Sequence, residues 1–283
     1  MAEADDPLRV SLLRGSELAL RMCSALVLVP LAIGTAYLGG WPFAVFWGAA
    51  AIGILWEWSS MVARNEQVSV LLAGGASLAL GVILVATGHV LPALIVVAMG
   101  ALGAASLTLA DRRMWVAGAI PYAGALAIAP IVLRSDGEQG FLAILFLFAI
   151  VWTTDIAAYF VGRALGGPKL VPQVSPNKTW AGAIGGLVAS GVAAIVVAKM
   201  AALTSFFALA MLAILLSALA QAGDLFESFL KRRFNAKDSS HLIPGHGGLM
   251  DRLDGFVTAS VVAAIIGLAR GGFEAPGRGL LVW

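Results

Sequence analysis

Four carboxylates in the second half of the chain have the types and spacing of a metal site. Asp224 and Glu227 lie three residues apart, and Asp251 and Asp254 repeat that spacing. Residues three apart share one face of a helix. Carboxylates that converge from two helices are the oxygen ligands that hard cations such as Mg²⁺ require. Ion pairs with neighbouring lysines and arginines at a membrane boundary are the alternative interpretation, and residue types alone leave both open.

A second polar stretch, "PKLVPQVSPNKTWAGAIGG" at residues 168–186, has the residue pattern of a helix start. Ser175 followed by Pro176 predicts an N-cap and a first helical residue, which places Lys178 and Thr179 in the first turn. A lysine is disfavoured there by the helix dipole unless an anion is bound, and helix N-termini favour phosphate. A lysine that only marks the inner side of the membrane is the simpler alternative.

Two histidines and several glycines follow in a loop rich in proline and glycine. His241 and His246 are five residues apart with no cysteine near them, which is a poor arrangement for a transition metal. A contact with phosphate or general loop polarity is the preferred interpretation. The glycines permit positive φ and a close approach of backbone N–H groups to an anion; they are Gly245, Gly247 and Gly248.

Two further acids lie inside apolar segments. In "DIAAYFVGR", Asp155, Tyr159 and Arg163 are spaced four apart and share one helix face, with an internal ion pair as the alternative to a site. Glu57, in "ILWEWSSM", is an intramembrane acid with no predicted role. Because a charged group within a membrane is costly unless it is paired or solvated, such acids indicate function by default.

The elements that must position these residues are predicted from composition. Of 283 residues, 60% are hydrophobic and 12% are charged, whereas soluble domains are about half apolar and a quarter charged. The lone cysteine, Cys23, excludes an internal disulfide. Apolar runs of about 20 residues have the length of a membrane-spanning helix. They lie at 22–38, 42–61, 67–87, 89–110, 114–133, 140–162, 180–200, 204–224 and 255–270.

This pattern predicts an all-α, polytopic integral membrane protein with nine transmembrane helices. We expect one membrane domain over residues 1–283, in which helices before residue 140 precede the catalytic helices and polar loops of 140–270. Lysine and arginine resist translocation, and nine spans with the N-terminus in the cytoplasm put 14 of the 18 basic residues inside. The four left outside are Arg134, Lys199, Arg270 and Arg278.

That orientation assigns a depth to the acids. Asp155 follows Gly140 by 15 residues, so it lies about 22 Å into its span at 1.5 Å per residue. Asp224 ends the eighth predicted span, and Asp251 and Asp254 precede the ninth. These four acids therefore belong to one layer near the cytoplasm.

The motifs resemble those of the phosphatidate cytidylyltransferase family, also called CDP-diacylglycerol synthases. The signature occupies 27 residues with about a dozen fixed positions. It comprises "SFLKR" from Ser228, Lys237-Asp238, "PGHGG" from Pro244 and "DRLD" from Asp251. "DIAAYFVGR" and "SPNKTWAG" resemble two further family motifs in the correct order. The first 140 residues match only as apolar helices.

The resemblance implies that the phosphate of phosphatidic acid attacks the α-phosphorus of CTP, releasing pyrophosphate and leaving CDP-diacylglycerol in the cytoplasmic membrane. It implies Mg²⁺, with K⁺ as a second cation, a homodimer and no nucleic-acid partner. By motif position, the catalytic residues are Asp224, Lys231, Lys237, Asp251 and Asp254, and the metal ligands are Asp155, Asp224, Asp251 and Asp254, with Glu227 in support. The substrate-binding residues are Arg163, Ser175, Lys178, Thr179, Ser228, Arg232, Asp238, His246, Gly247, Gly248 and Arg252, and Lys231 and Lys237 also hold phosphates.

One position departs from the family pattern. Its S-P-x-K-T-x-E-G motif has glutamate in the seventh place, where this chain has Ala181. Three consequences stay open: a slower enzyme, substitution by Glu57 or Glu227, or a related nucleotidyltransferase with another phosphorylated substrate. A cation-coupled secondary transporter is a further alternative, but such sites lie near the midplane, often between inverted repeats, and no repeat is evident.

Overall fold

The structure is a computed structural model that describes residue 24, residues 26–240, residue 242 and residues 247–283, with the side chain of Arg64 left out. Several residues named above lie outside these described residues. They are Cys23, His241, Pro244, Gly245 and His246, and three of the 14 basic residues predicted to lie inside, Arg9, Arg14 and Arg21, are outside them too.

Helices account for most of the described chain. They are α1 Leu26–Leu38, α2 Gly40–Val62, α3 Gln67–Ala86, α4 Val90–Ser106, α5 Arg113–Arg134, α6 Gly140–Leu165, α7 Trp180–Met200, α8 Phe206–Arg233, α9 Met250–Gly271 and α10 Pro276–Leu281. A 3₁₀ turn, Arg64–Glu66, precedes α3. Strands β1 Lys169–Val171 and β2 Ser175–Thr179 form a short hairpin between α6 and α7.

The helices match the predicted apolar segments in order. Among the described residues, seven helices are long and apolar enough to cross a membrane, whereas α1 and α4 are shorter apolar helices. The all-α, polytopic prediction is therefore confirmed. The count of nine spans and the cytoplasmic N-terminus stay predictions.

At the site, two helices extend beyond the apolar segments. The eighth segment was predicted to end at Asp224, but α8 continues to Arg233. The ninth was predicted from residue 255, but α9 begins at Met250. Hydropathy stops at the first charged residue, whereas the spacing of three between Asp224 and Glu227, and between Asp251 and Asp254, predicted that the helices include these acids. The four acids therefore project from helices, as their spacing predicted.

The predicted helix start at Ser175 was wrong. Residues Ser175–Thr179 are extended and pair antiparallel with β1, with Lys169 opposite Thr179. Helix α7 begins at Trp180, and Thr179 is its N-cap: the Thr179 hydroxyl oxygen accepts from Gly182 N at 3.1 Å. Because the hairpin fixes the backbone up to residue 179, the capping role moves from Ser175 to the next side chain that can accept a hydrogen bond there.

Helices α6 to α9 pack in sequence order, α7 against α6, α8 against α7 and α9 against α8, while α5 links α2 and α4 to α9. The approach of α7 to α6 requires glycine, since a Cβ on Gly182 would lie 2.6 Å from the carbonyl oxygen of Ala158. Aromatic rings join α2 to α9, where Trp47 and Phe256 stack with centroids 4.8 Å apart. The polar ends of α6, α8 and α9 are thereby brought together.

The opposite end of α6 is fixed by a buried carboxylate. Asp136 accepts hydrogen bonds from the backbone N–H groups of Glu138 and Gln139 at 2.9 Å and of Arg278 at 2.8 Å. It is 4% exposed. Asp136 therefore fixes the turn before α6 and caps the first turn of α10, which it holds against that turn.

Candidate active site

A cavity of about 1370 Å³ lies among α1, α2, α6, the hairpin, α7, α8 and α9. Its lining changes character along α6, from Phe148 and Trp152 to Asp155 and then Arg163. Those 15 residues extend about 22 Å along a helix. Leucine and alanine side chains of α1 and α2 also line the cavity. The cavity therefore joins an apolar part to a charged part within one enclosure.

The charged part contains a group of three carboxylates. Asp224 and Glu227 of α8 and Asp254 of α9 each offer an oxygen, and these oxygens lie within 4.8 Å of one another. Within the described chain, one oxygen of Glu227, Oε1, is buried and has no hydrogen-bond partner. Three carboxylate oxygens at this separation, together with a Glu227 oxygen that accepts no hydrogen bond, fit the ligand set of a hard divalent cation such as Mg²⁺.

Two lysines balance these acids. Lys231 Nζ lies 2.8 Å from Glu227 Oε2 and 2.6 Å from Asp251 Oδ1. Lys178, at the end of β2, forms an ion pair with Asp224. The ion pairs of the alternative interpretation are thus present, and the carboxylates converge as well. Since an isolated charge in a membrane is costly, each lysine offsets the charge of an acid that would otherwise lie unpaired within the helix bundle.

The carboxylate of Asp251 is engaged by other protein groups. Besides Lys231 on Oδ1, its Oδ2 lies 2.9 Å from Gly248 N, 3.2 Å from Ser239 N and 3.1 Å from the Ser239 hydroxyl. Asp251 is not part of the three-carboxylate group. In this arrangement Asp251 orients Lys231, and its role as a metal ligand stays a prediction.

Most of the predicted site residues meet at the cavity. Those that line it are Asp155, Arg163, Lys178, Thr179, Asp224, Lys231, Asp238, Asp251, Arg252 and Asp254. Arg163 Nη1 donates to the Tyr159 hydroxyl at 2.8 Å, so the predicted helix face of Asp155, Tyr159 and Arg163 is present. Asp155 and Lys178, far from the signature in sequence, lie in the same cavity as Asp251.

Other predicted residues lie elsewhere. Among the described residues, Ser175, Ser228, Arg232 and Lys237 are absent from the lining of this cavity. Gly247 and Gly248 contact Asp251 instead: Gly247 has φ +83°, and a Cβ on it would lie 3.1 Å from Asp251 Oδ2. His246 lies outside the described residues.

Sequence reasoning did not identify the partners of Glu57. Its side chain is fully buried on α2, and its carboxylate accepts from the hydroxyls of Ser239 and Ser240 and from the backbone of Leu249 and Met250. The sequence signal was only an acid in an apolar segment, since the partners are 182 to 193 residues away. Of the two proposed substitutes for the missing family glutamate, Glu227 lies in the carboxylate group and Glu57 does not.

Comparison with known proteins identifies the family of the chain. The model of the Cytidylyltransferase family matches residues 19–269. The chain belongs to this family. A phosphatidate cytidylyltransferase of Brucella suis is 42% identical over 256 residues, which is 89% of this chain and 94% of that relative. One of Bacillus subtilis is 42% identical over 128 residues, covering 45% of this chain and 48% of the relative.

Membership of the cytidylyltransferase family confirms the resemblance predicted from the three motifs. A phosphatidate cytidylyltransferase of Haemophilus influenzae is also similar, with 41% identity over 149 residues, 50% of this chain and 51% of its own. The family match includes the apolar helices before residue 140, for which the motifs alone gave no assignment.

Proposed function

We propose that this cytidylyltransferase transfers the cytidylyl group of CTP to phosphatidic acid, giving CDP-diacylglycerol and pyrophosphate. The observation that carries the proposal is the single cavity that joins an apolar part to a part lined by acids, lysines and arginines. A lipid phosphate needs both environments, because its acyl chains are apolar and its headgroup is anionic. The named relatives of the chain are phosphatidate cytidylyltransferases.

The reaction makes and breaks one bond each at the α-phosphorus of CTP. An oxygen of the lipid phosphate forms the new P–O bond. The bond from the α-phosphorus to the oxygen that bridges it to the β-phosphorus breaks, and pyrophosphate leaves with that electron pair. Phosphoryl-type transfer depends chiefly on positioning and on neutralising charge.

The chain's own cations supply positioning. Lys178, Lys231, Arg163 and Arg252 line the charged part, where they would hold the phosphates of CTP and of the lipid. Lys231 is fixed by two carboxylates, so its ammonium is oriented before a substrate enters. Thr179 lines the same part and caps α7, which fixes Lys178 beside it.

Asp224, Glu227 and Asp254 would hold Mg²⁺, and Asp155 lies on the same cavity wall. When bound, Mg²⁺ would neutralise charge that develops on the phosphate oxygens. Asp251 would support the site through Lys231. K⁺ as a second cation follows from the family resemblance.

The proposal places the charged part of the cavity towards the cytoplasm, where CTP is available, and the protein in the cell membrane. It rests on the distribution of basic residues, 14 of 18 inside when nine spans are counted from a cytoplasmic N-terminus. The apolar part of the cavity would accept the acyl chains. We also propose that the protein forms a homodimer. We propose further that its one membrane domain consists of N-terminal helices before residue 140 and catalytic helices after it.

The test is a product assay on the purified full-length protein in phospholipid nanodiscs. CTP and Mg²⁺ are supplied with phosphatidic acid, and parallel reactions contain lyso-phosphatidic acid or a phosphorylated isoprenoid alcohol. We expect pyrophosphate and CDP-diacylglycerol with phosphatidic acid, and no product when Mg²⁺ is chelated. Faster turnover of another phosphorylated lipid would transfer the proposal to a related nucleotidyltransferase, which the departure at Ala181 leaves as the second candidate.

A further inference from the structure

The carboxylate of Glu57 is saturated by four hydrogen bonds from a distant part of the chain. Its Oε1 accepts from the Ser240 hydroxyl at 2.5 Å and from Leu249 N at 2.7 Å. Its Oε2 accepts from Met250 N at 2.7 Å and from the Ser239 hydroxyl at 3.0 Å. Among the ion pairs of the described residues, none includes Glu57. Its charge is therefore stabilised by donors whose positions it fixes in return.

Two of these donors belong to the start of α9. Leu249 is the N-cap residue, and no side chain of its own caps the helix. The first N–H groups of a helix have no partner within it, and the helix dipole favours a negative charge there. Glu57 supplies both from another helix. The first turn of α9, which carries Asp251 and Asp254, is thus attached to α2.

Ser239 connects Glu57 to Asp251. Its hydroxyl lies 3.0 Å from Glu57 Oε2 and 3.1 Å from Asp251 Oδ2, and its backbone N–H donates to the same Asp251 oxygen at 3.2 Å. Asp251 in turn holds Lys231. A continuous set of polar contacts therefore extends from α2, through Ser239 and α9, to the lysine of α8 that lines the cavity.

The packing allows little tolerance around Glu57. A Cβ on Gly248 would lie 2.8 Å from Glu57 Oε1, so residue 248 is pressed against the carboxylate. Helices α2 and α9 also meet where Trp47 stacks on Phe256, and that contact does not involve the carboxylate of Glu57. Loss of this carboxylate would release the start of α9 without opening the rest of the bundle.

We propose that Glu57 is a positioning residue for cytidylyl transfer. It fixes the positions of Ser239 and of the first turn of α9, so that Asp251 holds the Lys231 ammonium beside the three-carboxylate group. This inference rests on the proposed function. Glu57 does not line the cavity, so it acts through these residues and touches no substrate. Misplacement of a positioned group by about 1 Å lowers turnover by up to about 100-fold.

The experiment compares Glu57→Gln with Asp136→Asn in the full-length protein in nanodiscs. Both wild-type residues are buried carboxylates that accept from a backbone N–H group at the start of a helix, but Asp136 lies just before α6, at the end of that helix opposite to the site. We expect Glu57→Gln to lower kcat about 10- to 100-fold while KM for CTP changes less than about 3-fold. Asp136→Asn should lower the unfolding temperature and leave kcat within about 2-fold.

A double variant separates positioning from general stability. Ser239→Ala removes the hydroxyl that joins Glu57 to Asp251 and leaves the backbone bonds to both carboxylates intact, so it should lower kcat by itself. If Glu57 acts through Ser239, the double variant should be less impaired than the product of the two single effects. A full multiplicative effect, or a Glu57→Gln variant with the kcat of the wild type, would overturn the proposal. If Glu57→Gln does not fold, an unchanged kcat in Ser239→Ala overturns it.

Hydrogen–deuterium exchange gives a readout that does not depend on activity. Glu57→Gln should speed exchange at residues 247–252 and leave residues 137–141 unchanged, and Asp136→Asn should do the reverse. An equal increase in exchange in both regions in the Glu57→Gln variant would contradict a local anchoring role. If the wild type forms no CDP-diacylglycerol, the proposed function fails, whereas the exchange pattern still tests the anchoring.

Discussion

Lys231 on α8 donates to Asp251 on α9 over 2.6 Å, and this contact joins the two helices that carry the three-carboxylate group. The same ammonium lies 2.8 Å from Glu227. One side chain thus sets the distance between the acids of α8 and the first turn of α9. Rate, stability and cation dependence should therefore respond together when the site is altered.

Asp254→Asn should abolish Mg²⁺-dependent transfer. Replacing one carboxylate oxygen by an amide weakens a site built from oxygen ligands, and neutralisation by a metal supplies several kcal/mol of transition-state stabilisation. We expect kcat to fall at least about 100-fold, which is about 2.7 kcal/mol. The measurement is CDP-diacylglycerol formation across a Mg²⁺ titration. Asp111→Asn is the control, since the Asp111 side chain is 72% exposed; equal losses in both variants would refute a specific role.

Lys231→Met should destabilise the protein as well as inactivate it. The change leaves Glu227 and Asp251 without their shared cation in an environment where their side chains are 2% and 10% exposed. Breaking a buried pair in this way costs about 3–5 kcal/mol. Thermal unfolding in nanodiscs measures the effect, and Arg233→Gln, an exposed cation two residues on, is the control. Unfolding at the wild-type temperature would show that Lys231 is not the shared cation.

The apolar part of the cavity should determine whether phosphatidic acid with long acyl chains binds well. Ala49 of α2 lines it, and Ala49→Phe would fill space that the proposal gives to an acyl chain. We expect kcat/KM for phosphatidic acid with long acyl chains to fall about 10-fold, since a lost apolar contact of this size is worth about 1–3 kcal/mol. KM for CTP should not change. Val45→Phe, one turn earlier on the exposed face of α2, should leave both constants unchanged; a matching loss there would place the acyl chains elsewhere.

Thr179→Ala should lower the free energy of unfolding by about 1 kcal/mol, because the N-cap of α7 is lost. Thr179→Ser keeps the hydroxyl and should be near the wild type. Ser175→Ala should have little effect, since Ser175 belongs to β2 and not to the helix start. Denaturant titration checks all three. A larger loss for Ser175→Ala than for Thr179→Ala would support the helix start predicted from sequence.

The sequence predicted the helical architecture and the general place of the site, because both depend on local patterns. Apolar runs identify helices by length, and spacings of three and four residues place Asp224, Glu227 and Lys231 on one face. The ion pair of Glu227 with Lys231 is a direct result of that spacing. The shared layer of Asp155 with Asp224, Asp251 and Asp254 was predicted from the order of the spans, and all four line the cavity.

Other features depend on contacts that no local pattern encodes. The hairpin of residues 169–179 forms because Lys169 pairs with Thr179, whereas the Ser-Pro pair alone indicated a helix. Glu57 accepts a hydrogen bond from Met250, 193 residues away, and no short-range sequence pattern predicts a contact at that separation.

The central claim is most directly tested by following the phosphorus atoms of CTP. The purified protein is supplied with phosphatidic acid, Mg²⁺ and CTP labelled at either the α- or the γ-phosphorus. Cytidylyl transfer predicts that the α-label enters the lipid and the γ-label leaves as pyrophosphate, in equal amounts, and that Asp254→Asn forms neither product. Label from the γ-phosphorus in the lipid, or no labelled lipid from either CTP, would contradict the account.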